Sequence, residues 1–93
     1  MISCSEGRCV LQGPVTVANI ESLLEEGGRQ FAGDQVTIDL AGVTEVDSTA
    51  VSLLLEWRRQ ALRAHRSIRY VNLPKNLKSL AELYGVTDLI GEA

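Results

Sequence analysis

The 93-residue chain reads as one α/β domain, a mixed β-sheet with helices packed against it in the order β-β-α-β-α-β-α-β. Three observations predict this. Two short β-like runs flank a two-residue Glu6-Gly7 turn, as in a hairpin. Further on, strand-like apolar segments alternate with segments of helical periodicity. Helix-length connections between the later strands call for parallel pairs and right-handed crossovers. A chain of this length holds a single core, so residues 1–93 form one domain.

The elements follow in order. Around Glu6-Gly7 the hairpin register sets Ile2 opposite Leu11, Cys4 opposite Cys9 and Ser5 opposite Arg8, which gives one consistently apolar face. Gly13-Pro14 is expected to break that pattern. Residues 19–30 form a first helix with Ile20, Leu23 and Leu24 on one stripe, and Gly27-Gly28 weakens its last turn. The β-branched run 35–40 fits a central strand, with residues 41–46 as the loop leading to Asp47. A second helix over 48–64 carries Val51, Leu54, Leu55, Ala61 and Leu62 on one stripe, interrupted by Arg58. Residues 68–73 make the next strand. Pro74 opens a third helix with Leu77, Leu80, Ala81 and Tyr84 on one side, and Gly85 ends it through a left-handed cap. Residues 86–90 are expected as a last short strand or turn, with Gly91-Glu92-Ala93 fraying.

Composition narrows the function. An apolar content of 45% with 4% aromatics implies a core of Leu, Val, Ile and Ala, and a formal charge of −3 argues against nucleic acid as the main partner. Arg58, Arg59, Arg63, His65, Arg66 and Arg69 gather around the end of the second helix, either as a solvated face or as a contact for an acidic protein. No run approaches the roughly 18 apolar residues of a membrane helix, and the first residues lack the pattern of a signal peptide, so a cytoplasmic location without membrane insertion is expected. In that reducing compartment Cys4 and Cys9 are expected as two buried thiols rather than a disulfide. No metal or other cofactor is expected, since two cysteines and the distant His65 do not make a zinc site. Catalysis is not expected either. His65, the sole candidate base of its kind, falls beyond the far end of the helix that Ser48 and Thr49 open, and Asp39, Glu45 and Asp47 are explained by capping and solvation.

The most informative stretch places Asp47-Ser48-Thr49 at the start of the second helix, where free backbone N–H groups and the positive dipole end converge. Asp47 can cap the helix, or Ser48 can take that role and leave Asp47 in the loop. Capping explains one polar residue of the three. Asp47, Ser48, Thr49, Ser52, Leu53 and Trp57 are read together as one partner-binding face. Trp57 flanked by Arg58 and Arg59 has the composition of a binding hot spot. The alternative is that Trp57 folds back against the edge of the domain.

Strand, loop and Asp-Ser-Thr helix opening resemble the STAS domain family, and the resemblance runs over essentially the whole chain, with Ala50 where many members have Gly. It implies the STAS fold and one of two roles. In anti-sigma-factor antagonists of the family the second hydroxyl of the motif, here Thr49, is phosphorylated by a kinase-type anti-sigma factor; Ser48 is the other candidate for phosphorylation. The Leu80-Ala81-Glu82-Leu83-Tyr84-Gly85-Val86 segment is instead similar to the ending of the MlaB-type branch, small cytoplasmic subunits of phospholipid ABC transporters that maintain outer-membrane lipid asymmetry. There the hydroxyl residue directly after the Asp, here Ser48, matters for binding the transporter ATPase, a MlaF-like subunit assembled with its permease. Nothing in the chain resembles an ATP-binding Gly-x-x-x-x-Gly-Lys-Ser/Thr motif, so hydrolysis would belong to that partner.

Overall fold

Glu6 and Gly7 both adopt positive φ, as a two-residue hairpin turn requires, and they join β1 (Ile2–Ser5) to β2 (Arg8–Val15). A computed structural model describes residues 1–90 of the chain; the expected fraying of Gly91-Glu92-Ala93 lies outside the described residues. The hairpin register is the one read from the sequence, with Ile2 opposite Leu11 and Cys4 opposite Cys9. The cysteines are not two thiols, however: Cys4 and Cys9 are joined in a disulfide across the hairpin. Direct opposition in the antiparallel pair brings their Cα atoms to 4.0 Å and so puts the two sulfurs within bonding reach.

Gly13-Pro14 does not end β2. The strand continues to Val15 and absorbs the two residues through register shifts against β3. For the same reason residues 41–46 are not a loop: β3 runs unbroken from Gln35 to Val46. Gly42 allows this continuation. A Cβ there would sit 2.9 Å from the Gln12 side chain and 3.3 Å from the Leu11 carbonyl, so only glycine lets β2 and β3 pass this closely.

The connections are helical. α1 (Ile20–Gln30) links β2 to β3, and α2 (Ser48–Arg63) links β3 to β4 (Ser67–Val71). The sheet order is β1-β2-β3-β4, with β1/β2 antiparallel and both later pairs parallel, as the crossovers demanded. α3 (Lys75–Leu83) follows, and Gly85 takes the left-handed conformation behind it. The last element is α4 (Thr87–Ile90), a single helical turn rather than a strand. Among the described residues β4 therefore remains an edge strand, and Ile90 serves the domain by entering the core instead of pairing.

One face of the sheet carries the core. Leu11, Val36, Ile38 and Leu40 from the strands meet Leu53, Leu54, Trp57 and Leu77 from the helices. Tyr70 is also inside, where its hydroxyl donates to the Leu54 carbonyl at 2.6 Å and burial pushes the phenol pKa far up.

Candidate functional site

The site is built on the first turn of α2. Asp47 is the cap: its Oδ1 accepts from the Thr49 amide at 2.9 Å and from the Thr49 hydroxyl. Its Oδ2 accepts from the Val17 amide at 2.9 Å, which fastens the loop before α1 to the start of α2. These bonds, the Thr49 hydroxyl first and the Val17 amide next, hold the Asp47 carboxyl below its ordinary pKa. Asp47 is thereby committed to structure.

The two hydroxyls that follow are not equivalent. Thr49 is half-buried with its hydroxyl on Asp47, whereas Ser48 is exposed and its hydroxyl has no hydrogen-bond partner among the described residues. Ser52, one turn on, is exposed on the same stripe. Leu55 is half-buried between them and Arg59.

Two shallow grooves flank this stripe. One of about 390 Å³ lies between α1 and α2, with Ile20, Leu24, Ser52 and Leu55 supplying its apolar and small side chains. The other, about 300 Å³, is formed by Ser48, Ser52 and Leu55 against Tyr84 and Val86. Tyr84 is 53% exposed and Val17 is 71% exposed, so apolar side chains stand free on either side of the helix start.

Trp57 does not reach this face, and Leu53 reaches it only as part of the wall of the α1–α2 groove. Leu53 is 2% exposed and Trp57 0%, both turned into the core. Trp57 folds back, the alternative left open by its sequence context: its indole N–H donates to the Leu24 carbonyl at 3.3 Å, and its ring meets Phe31 edge-on at 5.4 Å. The buried stripe of α2 is accordingly rotated from the expected one. It comprises Ala50, Val51, Leu53, Leu54, Trp57 and Ala61, while Leu62 is 60% exposed. The helix must cover both the sheet and α1, and the wide arc that results takes in Leu53 and Trp57 at its α1 side.

Periodicity placed Leu55 and Tyr84 on the apolar stripes of their helices, yet Leu55 is only half-buried and Tyr84 is 53% exposed, and both line this face together with Val86. The signal for Tyr84 and Val86 was present in Tyr84-Gly85-Val86, where an aromatic caps the C-terminus of a helix stopped by glycine. The arrangement suits docking: a rigid helix face with a free hydroxyl, an apolar groove on each side and polar neighbours at the rim. Asp39, Glu45 and Asp47 do not converge. Asp39 is held by Arg8, Asn72 and the Ala41 amide, with the Ala41 amide lowering its pKa most, while Asp47 serves α2.

Comparison with known proteins gives the same fold. A family model described as Mlab, STAS domain, matches residues 3–91. Among solved structures, a chain of the Acinetobacter MlaFEDB complex in an ATP-bound conformation superposes with a TM-score of 0.84 at 14% identity, covering 100% of this chain and 99% of that one. The unphosphorylated anti-sigma factor antagonist SpoIIAA is similar with a TM-score of 0.77 at 14% identity, covering 100% of this chain and 86% of that one. No curated protein sequence matches the chain.

Proposed function

Because the chain belongs to the STAS family, through its MlaB-type model, we propose that it is a non-catalytic accessory subunit docking onto the MlaF-like ATPase of a phospholipid ABC transporter. The observation that carries this reading is the division of labour after Asp47: Thr49 is tied to the cap, and Ser48 is left free at the head of a groove. The docking face comprises Ser48, Ser52 and Leu55, bordered by Tyr84 and Val86 and set by Asp47 and Thr49 from behind. Similarity to a chain of the MlaFEDB complex supports the choice of partner. On this reading the protein sits at the cytoplasmic side of the inner membrane through its ATPase and permease, and contributes to outer-membrane lipid asymmetry. No helix among the described residues is long and apolar enough to cross a membrane, so attachment runs through the complex.

The antagonist reading places a phosphate at Thr49 or Ser48. At Thr49 the phosphate would displace the hydroxyl from Asp47 and set roughly −1.5 to −2 charges beside that carboxylate. The geometry therefore favours docking over switching at Thr49. Ser48 has no such obstacle.

Isolation of the tagged protein from native cells in mild detergent, with mass spectrometry of its companions, tests the proposal. An ABC ATPase with its permease is the expected result. A kinase-type anti-sigma factor, accompanied by phosphorylation of Ser48 or Thr49, would overturn it. With the ATPase in hand, Ser48→Ala should weaken docking about three- to tenfold, the loss of one hydrogen bond.

A further inference from the structure

We infer that the free edge of β4 is a second docking surface, one that accepts an extended acidic segment of a partner protein as an added strand. Among the described residues β4 pairs only with β3, and no other strand lies along its far edge. A cleft of about 300 Å³ runs along that edge, and four consecutive positions of the strand, residues 67–70, line it. Four successive residues can border one cleft only if the cleft faces the backbone edge, since side chains of a strand alternate between faces. The opposite wall is the last part of α2 together with α4, with Leu62 and Leu89 giving an apolar rim. The space suits a short extended segment rather than a helix, whose diameter with side chains is about 10–12 Å.

Charge selects the occupant. Arg58, Arg66 and Arg69 border the cleft, and none of them forms an ion pair among the described residues. Arg58 gives only its Nε to the Leu89 carbonyl and Arg66 only its Nε to the Gly33 carbonyl, which leaves their terminal nitrogens available. Asp88, on the rim, makes no ion pair either among the described residues. By contrast Arg59 and Arg63, on the same helix, are both taken by Glu56. Three unmatched guanidinium groups in a chain of net charge −3 mark a local field opposite in sign to the whole. A second copy is a poor occupant, because two β4 edges brought together would face Arg66 and Arg69 with their own kind. An acidic strand meets both requirements: its backbone pairs with β4 and its carboxylates meet the arginines.

The test uses the full chain and a capped peptide of about six residues alternating Glu and Val, a typical strand length. Amide chemical shifts report the site, and two control peptides separate the causes: one with Lys for Glu, one N-methylated at alternate backbone nitrogens. The acidic peptide is expected to shift the amides of residues 67–71, and Arg66→Glu with Arg69→Glu should weaken it tenfold or more. Arg69 is exposed, whereas Arg66 is half-buried and donates to the Gly33 carbonyl, so circular dichroism of the double variant checks its fold; if it is unfolded, Arg69→Gln alone carries the comparison. Absence of shifts at β4, equal binding of the Lys peptide, or equal binding of the N-methylated peptide would each overturn the inference. Ser48→Ala should leave this binding unchanged, so its outcome is independent of the ATPase reading.

Discussion

Asp47 shows how one carboxylate can hold two parts of a site in place. It caps α2 through Thr49 and pins the loop at Val17, so the exposed Ser48 is presented on a fixed helix start rather than a mobile turn. Both Asp47 and Asp39 have carboxyl pKa values lowered in the folded chain. Their stabilisation is therefore fully present above the unfolded value of about 4 and is lost as pH falls through the lowered folded values. The melting temperature should fall on acidification below about pH 4, and Asp47→Asn should remove part of that fall while leaving an amide oxygen to cap the helix. Thermal melts across an acid series check this; an unchanged slope in Asp47→Asn would locate the pH dependence elsewhere. Thr49→Val, which keeps shape and removes the hydroxyl, should weaken docking less than Ser48→Ala does, since Thr49 acts through Asp47.

At the scale of the element, α1 and α2 are fitted to each other by an absence. Gly27 and Gly28 look equivalent in the sequence, yet a Cβ at Gly27 would lie 2.6 Å from three atoms of the Trp57 indole, while one at Gly28 would have nothing nearer than Gln60 Oε1 at 3.5 Å. Gly27 is the slot into which Trp57 folds. Gly27→Ala should destabilise by about 1–3 kcal/mol through overpacking. Gly28→Ala should stabilise by about 0.5–1 kcal/mol, the helical preference of alanine over glycine. Urea unfolding of the pair separates the two effects, and a stabilised Gly27→Ala would contradict the packing described. Trp57→Ala should cost about 3–5 kcal/mol, because it empties the centre of the core. Any loss of docking in that variant would report unfolding and not a missing contact.

For the whole molecule, the domain is a sheet with two edges that are managed differently. β1 is short and stapled by the Cys4–Cys9 disulfide, whereas β4 is bordered by arginines and has no further strand beside it among the described residues. The disulfide closes a loop with a sequence separation of 5, so chain-entropy reasoning gives it only about 2 kcal/mol. Reduction, or the double change Cys4→Ser with Cys9→Ser, should lower the melting temperature yet leave the proposed ATPase docking intact, because no β1 residue lines the grooves beside α2. Docking that vanished on reduction would show that the hairpin reaches the partner.

The sequence by itself determined the local grammar. A two-residue turn fixed the hairpin register, helical periodicity placed three helices, and helix-length connections required parallel pairs, because each of these depends on neighbours a few residues apart. It also marked Asp47-Ser48-Thr49 as the opening of α2, with Asp47 a candidate for its cap, since capping chemistry is local. What only the tertiary structure decided depends on elements meeting. Whether Trp57 faces solvent or core turned on Gly27, thirty positions away in the chain. The continuity of β3 through Gly42 turned on how closely β2 passes it, and the four residues after Val86 coil into α4 because Ile90 finds a place in the core that a further strand would have forgone. A periodic pattern says which residues share a face. Which way that face is turned is settled by what packs against it.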